Sequence, residues 1–481
     1  MTMHRRHTAL PVRLALLSTA LAVLGCHLLD ISNPDVVPID LLGGATALST
    51  VRAGAIGDFT LAYSGSGAGG SGGTIEGQIM ASGLLADEWI NTETFPDRIQ
   101  VDARQTDPTS GTMANVFTDL SRARVAAENA VAQFRKFADT TKDAGLSEML
   151  SLAGFAYMMF AENYCSGVPF SNAQPDGSIQ YGTPLTTPQM LDTAIDRFNQ
   201  ALAAASILDT SVASATRISR LSLARVGKAR ALLDAGRPAD ADTVASGARV
   251  ATTFMYLVQH DLNSTRQQNG VYNGDKKFKR YGVADLEGGN GLAWISAADP
   301  RTPVFRSPST NKGFDNATAQ FDQYRYIDEK AFVTVATGVE ARLINAEAAL
   351  QRGDTAGFLS ILNGLRAAPP TYFLVGDPSL QTQAIAPLAP LAAPGSSGAA
   401  ITMLFNERAR WLWLTAHRLN DLRRLVRPVG VRGGYGLAVN SVFPTGAYFK
   451  NGLTYGNDVN LPVPVTEQNN PKFKQCLDRL P

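Results

Sequence analysis

Ala229-Arg230-Ala231-Leu232-Leu233-Asp234-Ala235-Gly236 and Ala346-Glu347-Ala348-Ala349-Leu350-Gln351-Arg352-Gly353 share one grammar, Ala-x-Ala-x-Leu-x-x-Gly. The small Ala positions let two helices approach closely. The closing Gly takes the left-handed conformation that ends a helix without a Cβ penalty. Pro238 then opens the next helix as a first-turn proline, and Asp354 does the same as an N-cap. Each copy therefore reads as a helical hairpin of the tetratricopeptide kind, in which neighbouring hairpins bury a shared face. The interval between the copies is irregular, so the expectation is an interrupted array. Unrelated hairpins that share common helix grammar are the alternative.

Around these hairpins the chain divides into three helical blocks. The first runs over 112–164 and breaks near Gly145. Within it Val116, Leu120, Ala123, Ala127, Ala130 and Phe134 recur at helical spacing. The second covers 188–250. The third covers 338–368, and its helical character returns over 401–426. Between blocks two and three lies a long aromatic, Gly-rich insertion, about 259–331, and a Pro/Ala-rich loop follows at about 369–398. The stretch 64–73 is nearly all Gly, Ser and Ala and reads as a flexible loop. It lacks the Gly-Lys-Ser/Thr ending of a phosphate loop. The end, 430–481, is loop-like. The fold class expected is mainly α, with long irregular insertions.

The amino terminus carries a different message. His4, Arg5, Arg6, His7 and Arg13 precede an apolar run from Leu14 to Leu24, which ends Leu24-Gly25-Cys26. A short basic-then-apolar start is an export signal and is too short for a comfortable membrane span. A small residue before Cys is what lipoprotein processing requires: the thiol takes a diacylglycerol, the leader 1–25 is cut, and the new amino terminus is acylated. Several acyl chains anchor far more firmly than one. Residues 26–45 then read as a tether, because Asn33-Pro34 and Val37-Pro38 oppose helix. Residues 46–481 form the folded domain. An ordinary cleaved signal with a chance Cys is the other reading.

Charge excludes one class of partner. Lys plus Arg number 43 and Asp plus Glu 42, and cleavage before Cys26 removes three Arg and no acid. A near-neutral chain without basic runs is a poor nucleic-acid binder. Cys165 and Cys476 remain after Cys26. In an oxidising compartment they either pair, stapling the tail to the middle, or stay as two separate thiols.

Residues 403–428 contain Asn406-Glu407-Arg408, Trp411, Trp413, His417-Arg418 and Asp421-Leu422-Arg423-Arg424 before Pro428. Read as a helix, the segment places Leu404, Trp411, Leu414, Leu422 and Leu425 on an apolar stripe. Asp421 then has Arg418 and Arg424 three residues away on either side. Trp411 reads as core, and Trp413 as a contact to the neighbouring helical pair. The segment resembles the C-terminal signature of the SusD/RagB family of outer-membrane nutrient-binding lipoproteins. Leu343 to Arg366, Tyr157 to Phe170 with its Gly167-Val168-Pro169-Phe170, and Leu461-Pro462-Val463-Pro464 with Glu467 and Asn470-Pro471 resemble further stretches of that family. One departure concerns surface export: the family often carries acids just after the lipidated Cys, and here His27-Leu28-Leu29 comes before Asp30.

The resemblance implies a lipid-anchored protein of the cell outer membrane, exposed at the cell surface. It would cap a SusC-like TonB-dependent transporter through its helical face and pass it a small nutrient, such as an oligosaccharide or a peptide. The alternative is a helical-repeat scaffold lipoprotein that faces the periplasm in envelope assembly. A secreted glycosidase is a third class.

No enzyme motif is present. There is no His-Glu-x-x-His, no Cys-x-x-Cys and no Gly-x-Ser-x-Gly, and neither cofactor nor metal is expected. Asp87-Glu88 are adjacent, so on a helix their carboxylates diverge and do not flank one glycosidic bond; they read as a solvated turn or cap. His417 reads as a packed helix-surface histidine. Loop aromatics are the better signal, because flat rings stack on sugar C–H faces while Asn, Asp and Arg hydrogen-bond hydroxyls. The candidates for ligand contact are Trp89 and Phe95 in one loop, and Tyr272, Arg280, Tyr281 and Trp294 in the long insertion. The alternative for each ring is that it plugs the loops onto the helices.

Overall fold

The computed structural model describes residues 43–67, 74–173, 178–305, 311–370, 374–377 and 380–474. Cys26, the leader 1–25 and most of the expected tether lie outside the described residues, as do 68–73 of the Gly/Ser stretch and Cys476. Cys165 is buried and held in a disulfide. The folded body spans 48–481.

Its first helices are α1 (Leu48–Ser64), α2 (Gln78–Leu85), α3 (Pro96–Asp102), α4 (Gly111–Phe137) and α5 (Gly145–Asn163). They are followed by α6 (Thr187–Ser206), α7 (Ser214–Asp234), α8 (Pro238–Ala245), α9 (Gly338–Gln351) and α10 (Thr355–Ala367). The last two are α11 (Ser397–Trp411) and α12 (Arg418–Val426). The architecture is mainly α, as expected, and both hairpins close as their sequences imply. Gly236 and Gly353 have φ of +76° and +81°. Pro238 stands in the first turn of α8, and the Asp354 side chain accepts the Gly357 N–H at 2.8 Å at the start of α10. The helix starts elsewhere are equally local. Ser110 caps α4, and Thr186 with Gln189 forms a capping box on α6.

The core is organised by α5, every residue of which is buried. It packs against α4, α6 and α7. Its Gly154, with Gly227 of α7, leaves the space taken by Phe198: a Cβ at either position would come within 2.9 Å or less of that ring. Phe155 meets the same ring edge-on at 5.1 Å. Burying a Phe fully is worth about 1.5–3 kcal/mol, so these two glycines act through packing. Helix α1 packs against α4 and α5, and α2 packs against α1 and α4. The sheets are small antiparallel pairs. Met255–Val258 pairs with Val333–Thr337, and Trp89–Asn91 pairs with Tyr281–Val283. The Pro/Ala-rich loop contains a pair too, Leu374–Asp377 with Leu380–Ala384.

The 401–426 segment departs from the single helix expected. It unwinds over 412–417, where Leu414 and Ala416 have φ of +55° and +57°. The cause is tertiary. Glu88 Oε1 accepts the Leu414 N–H at 2.9 Å, Tyr326 Oη donates to the Leu414 carbonyl at 2.8 Å, and Tyr63 Oη donates to the Thr415 carbonyl at 2.9 Å. Remote groups thus take the backbone atoms that a helix would pair internally.

The polar residues of this segment turn inward, against expectation. Arg418 grips Asp87 with two bonds of 2.6 and 2.7 Å, and Asp421 accepts from Arg408 at 2.9 Å. His417 is buried between Arg230 (2.8 Å) and Glu340 (3.1 Å) rather than on a helix surface. The variable positions of the two Ala-x-Ala motifs supply partners. Arg230 makes two 2.6 Å bonds to Glu162, and Glu347 pairs with Arg424. Buried charges survive only when paired, so the network binds both hairpins to the carboxyl-terminal segment.

Candidate functional site

The sequence candidates separate into two groups. Trp89, Tyr281 and Trp294 are at most 1% exposed. Tyr281 Oη donates to Glu76 at 2.6 Å. Trp294 Nε1 donates to the Asp87 carbonyl at 2.6 Å, and its ring stacks on Trp413 at 6.2 Å. These three rings are closed to a ligand, which corrects their assignment: the 89–91 strand pairs with 281–283 and draws Trp89 and Tyr281 inward, while Trp294 plugs the insertion onto the core. Asp87 and Glu88 are corrected likewise, being buried rather than solvated. Burial pushes the Glu88 carboxyl up to about 8, against the opposing Leu414 N–H.

Phe95 and Arg280 come together at the surface. Phe95 is 45% exposed, and the Arg280 guanidinium lies 5.7 Å from its centroid, 5.6 Å from Phe278 and 5.9 Å from Phe314. Phe314 is 49% exposed and 6.5 Å from Phe95. A cation seated among phenyl faces is held by their quadrupoles, so Arg280 stiffens this platform. Beneath it Arg98 bridges Glu76 at 2.7 Å and Glu93 at 3.0 Å, and Arg280 lies 3.6 Å from Glu93. Burial pushes Glu93 up to about 7 even against the two guanidinium groups. Tyr272 sits apart from the platform, half-buried, with Lys276 6.0 Å from its ring and 4.6 Å from that of Tyr324.

Beside the platform a cleft of about 590 Å³ opens between three loops. The 92–95 loop brings Glu93 and Thr94, the 311–320 loop brings Asp315 and Thr318, and the 445–455 loop brings Phe449, Lys450 and Asn451. Each loop also presents one exposed phenyl ring: Phe95, Phe314 and Phe449, the last 48% exposed. Lys450 ties the three loops together. Its ammonium donates to the Asn91 carbonyl at 2.8 Å and the Glu93 carbonyl at 2.9 Å, and pairs with Asp315 at 2.7 Å. Burial would raise Asp315, but Lys450, Thr318 and the Ala317 and Thr318 N–H groups hold it down to about 2.

This arrangement suits binding. Every carboxylate oxygen of Asp315 is committed to Lys450 or its own loop, so it does not form a working acid–base pair with Glu93. Three rings and a polar floor of Thr94, Thr318 and Asn451 match an amphipathic ligand with both C–H faces and hydrogen-bonding groups. Sequence reasoning missed Phe314, Phe449, Lys450 and Asp315. The only signal for them was an aromatic flanked by polar and Gly residues in a loop, as in Gly313-Phe314-Asp315 and Phe449-Lys450-Asn451-Gly452.

No family model matches the chain, and no curated protein matches its sequence. Solved structures do match. A SusD superfamily protein from Bacteroides fragilis aligns at 15% identity with a TM-score of 0.61, over 91% of this chain and 100% of that one. A laminarin-binding SusD-like protein aligns at 13% identity and 0.61, over 90% and 99%. A SusD/RagB family protein from Bacteroides thetaiotaomicron aligns at 13% and 0.58, over 88% and 95%. The fold is therefore that of the SusD superfamily, along nearly its whole length.

Proposed function

We propose that this chain is a SusD/RagB-type nutrient-binding lipoprotein, anchored in the outer membrane through acylated Cys26 and exposed at the cell surface. It captures a small amphipathic ligand, an oligosaccharide or a peptide, and delivers it to a SusC-like TonB-dependent transporter. The observation that carries the binding role is the cleft lined by Phe449, with the exposed rings of Phe95 and Phe314 on the adjoining loops. Export and anchoring rest on the basic-then-apolar leader ending at Cys26, and the transporter partner rests on the resemblance of 403–428 to the family signature. The helical face opposite the loops is the docking surface for the barrel, as in other repeat arrays. In this reading the transporter supplies the energy of import and this chain supplies capture.

The test has two arms. Titration of the full chain in mild detergent against oligosaccharide and peptide panels should find a ligand whose affinity falls at least about tenfold in Phe95→Ala/Phe314→Ala, since each stacked ring contributes about 0.5–1.5 kcal/mol beyond its buried area. A pull-down from outer membranes should bring a stoichiometric large β-barrel. Recovery of periplasmic assembly factors in its place would overturn the uptake reading in favour of a scaffold.

A further inference from the structure

One wall of the cleft stands on two buried acids. Residues 446–455 form a short hairpin: Ala447 bridges Thr454, the Tyr448 N–H donates to the Leu453 carbonyl at 2.9 Å, and the Tyr455 N–H donates to the Gly446 carbonyl at 2.9 Å. Phe449 and Lys450 are at its tip. On its underside Tyr448 and Tyr455 meet edge-to-face at 5.3 Å. Tyr448 joins Ile99 and Ala103 in a small apolar cluster separate from the main core. Each tyrosine hydroxyl then reaches a different carboxyl. Tyr448 Oη donates to Asp102 Oδ2 at 2.6 Å, and Tyr455 Oη donates to Glu287 Oε1 at 2.9 Å. Asp102 Oδ2 also accepts the Asn91 N–H at 2.6 Å.

The remaining oxygens, Asp102 Oδ1 and Glu287 Oε2, are buried and accept no hydrogen bond. Each carboxyl lies within electrostatic reach of the other. Two buried carboxylates would repel and leave both of these oxygens without a donor; a single proton on the pair removes the repulsion and supplies a donor. Other charged groups face the pair. From the loop after α3 comes Arg104, which also faces Asp458 and donates to the Asp458 carbonyl at 3.0 Å. Lys450 acts on Asp102 from the hairpin, and Asp87, already gripped by Arg418, acts on Glu287 from the core. These leave room for one ionised carboxylate beside the cations.

We propose that 446–455 is a proton-operated wall of the cleft, which docks while Asp102 and Glu287 share one proton and lifts when that proton is lost. The proposal rests on the cleft being the ligand site for its functional meaning, but its physical content does not. With the hairpin lifted, both carboxyls meet water and titrate in the ordinary carboxylate range. With it docked, burial pushes Asp102 up to about 6, and burial together with the Asp102 charge holds Glu287 well above the ordinary carboxylate range. Docking therefore takes up protons. It is strongest in mild acid and weakens as pH rises through the Glu287 titration, by about tenfold per pH unit while one proton is taken up. Ligand held behind Phe449 is retained better at mildly acidic than at alkaline pH.

Hydrogen exchange on the full chain tests this without any ligand. After correction for intrinsic exchange, protection of 446–455 should fall at least about tenfold between about pH 6 and about pH 9, while α5 stays unchanged. Glu287→Gln, which keeps a donor in place at every pH, should hold that protection within about twofold over the same range. Asp102→Asn is the second variant, with the same expectation. Infrared difference spectra should show a protonated-carboxyl stretch that titrates with the hairpin and is absent in Glu287→Gln. Wild-type protection that does not change with pH, or an equal fall in both variants, overturns the proposal. A pH-responsive hairpin on a chain that binds no ligand would instead leave the proton device standing and remove the uptake reading.

Discussion

Arg418 reaches across 331 positions of sequence to hold Asp87 with two hydrogen bonds, both groups being buried. That pair fastens α12 to the turn that carries Glu88 and Trp89, and through them to the loops of the cleft. A buried pair is weak evidence for net stability, but breaking one strands a charge. Arg418→Met should therefore cost about 3–5 kcal/mol, because Asp87 stays buried beside Glu88 without its partner. Urea unfolding followed by tryptophan fluorescence reads this directly. A loss below about 1 kcal/mol would show that water reaches Asp87.

Trp294→Ala separates core from binding residue. The ring is buried, stacked on Trp413 and bonded to the Asp87 carbonyl. Its removal should cost about 3–5 kcal/mol and lower the melting temperature by several degrees. A variant with unchanged melting and weakened ligand affinity would return Trp294 to the ligand site.

The two hairpin glycines should respond differently to a methyl group. At Gly353 a Cβ meets nothing within 4 Å, so Gly353→Ala pays only for left-handed backbone, about 1–2 kcal/mol. At Gly236 the same Cβ would lie 2.7 Å from Arg432 Cα, and backbone must move. Gly236→Ala should be the more destabilising of the two in parallel thermal melts. Equal losses would mean that the 430–436 loop yields freely.

Glu88 sets a pH slope. Burial raises it to about 8 in the folded chain, above its ordinary value in the unfolded one. The folded state therefore binds the extra proton, and this contribution is complete below about pH 4.5 and is lost as pH rises towards about 8. Stability measured by urea unfolding should decline across that window by up to about 1.4 kcal/mol per pH unit, and Glu88→Gln should flatten the decline. An unchanged slope in the variant would assign it to other groups.

What was legible in the sequence was local. Gly236 and Gly353 close helices because only a residue without Cβ turns left-handed cheaply, and Pro238 and Asp354 open them because their groups fit the first turn. These interactions span a few residues, so their signals lie side by side in the chain. The likeness of 403–428 to a family signature pointed to the same fold that the solved structures share. Phe95 and Arg280 were visible as loop residues of suitable chemistry.

Burial and exposure were decided only by the tertiary structure. Trp89 and Phe95 lie six positions apart in one loop, yet one is sealed beneath the 281–283 strand and the other stands open on Arg280. The helix expected across 412–417 is undone by Glu88, Tyr326 and Tyr63, hydrogen-bonding partners from distant parts of the chain. The cleft exists because Lys450 joins carbonyls and a carboxylate from two other loops. Hydrogen-bond geometry and the exclusion of water depend on which segments meet in space, and residue type and spacing along one segment do not encode that meeting.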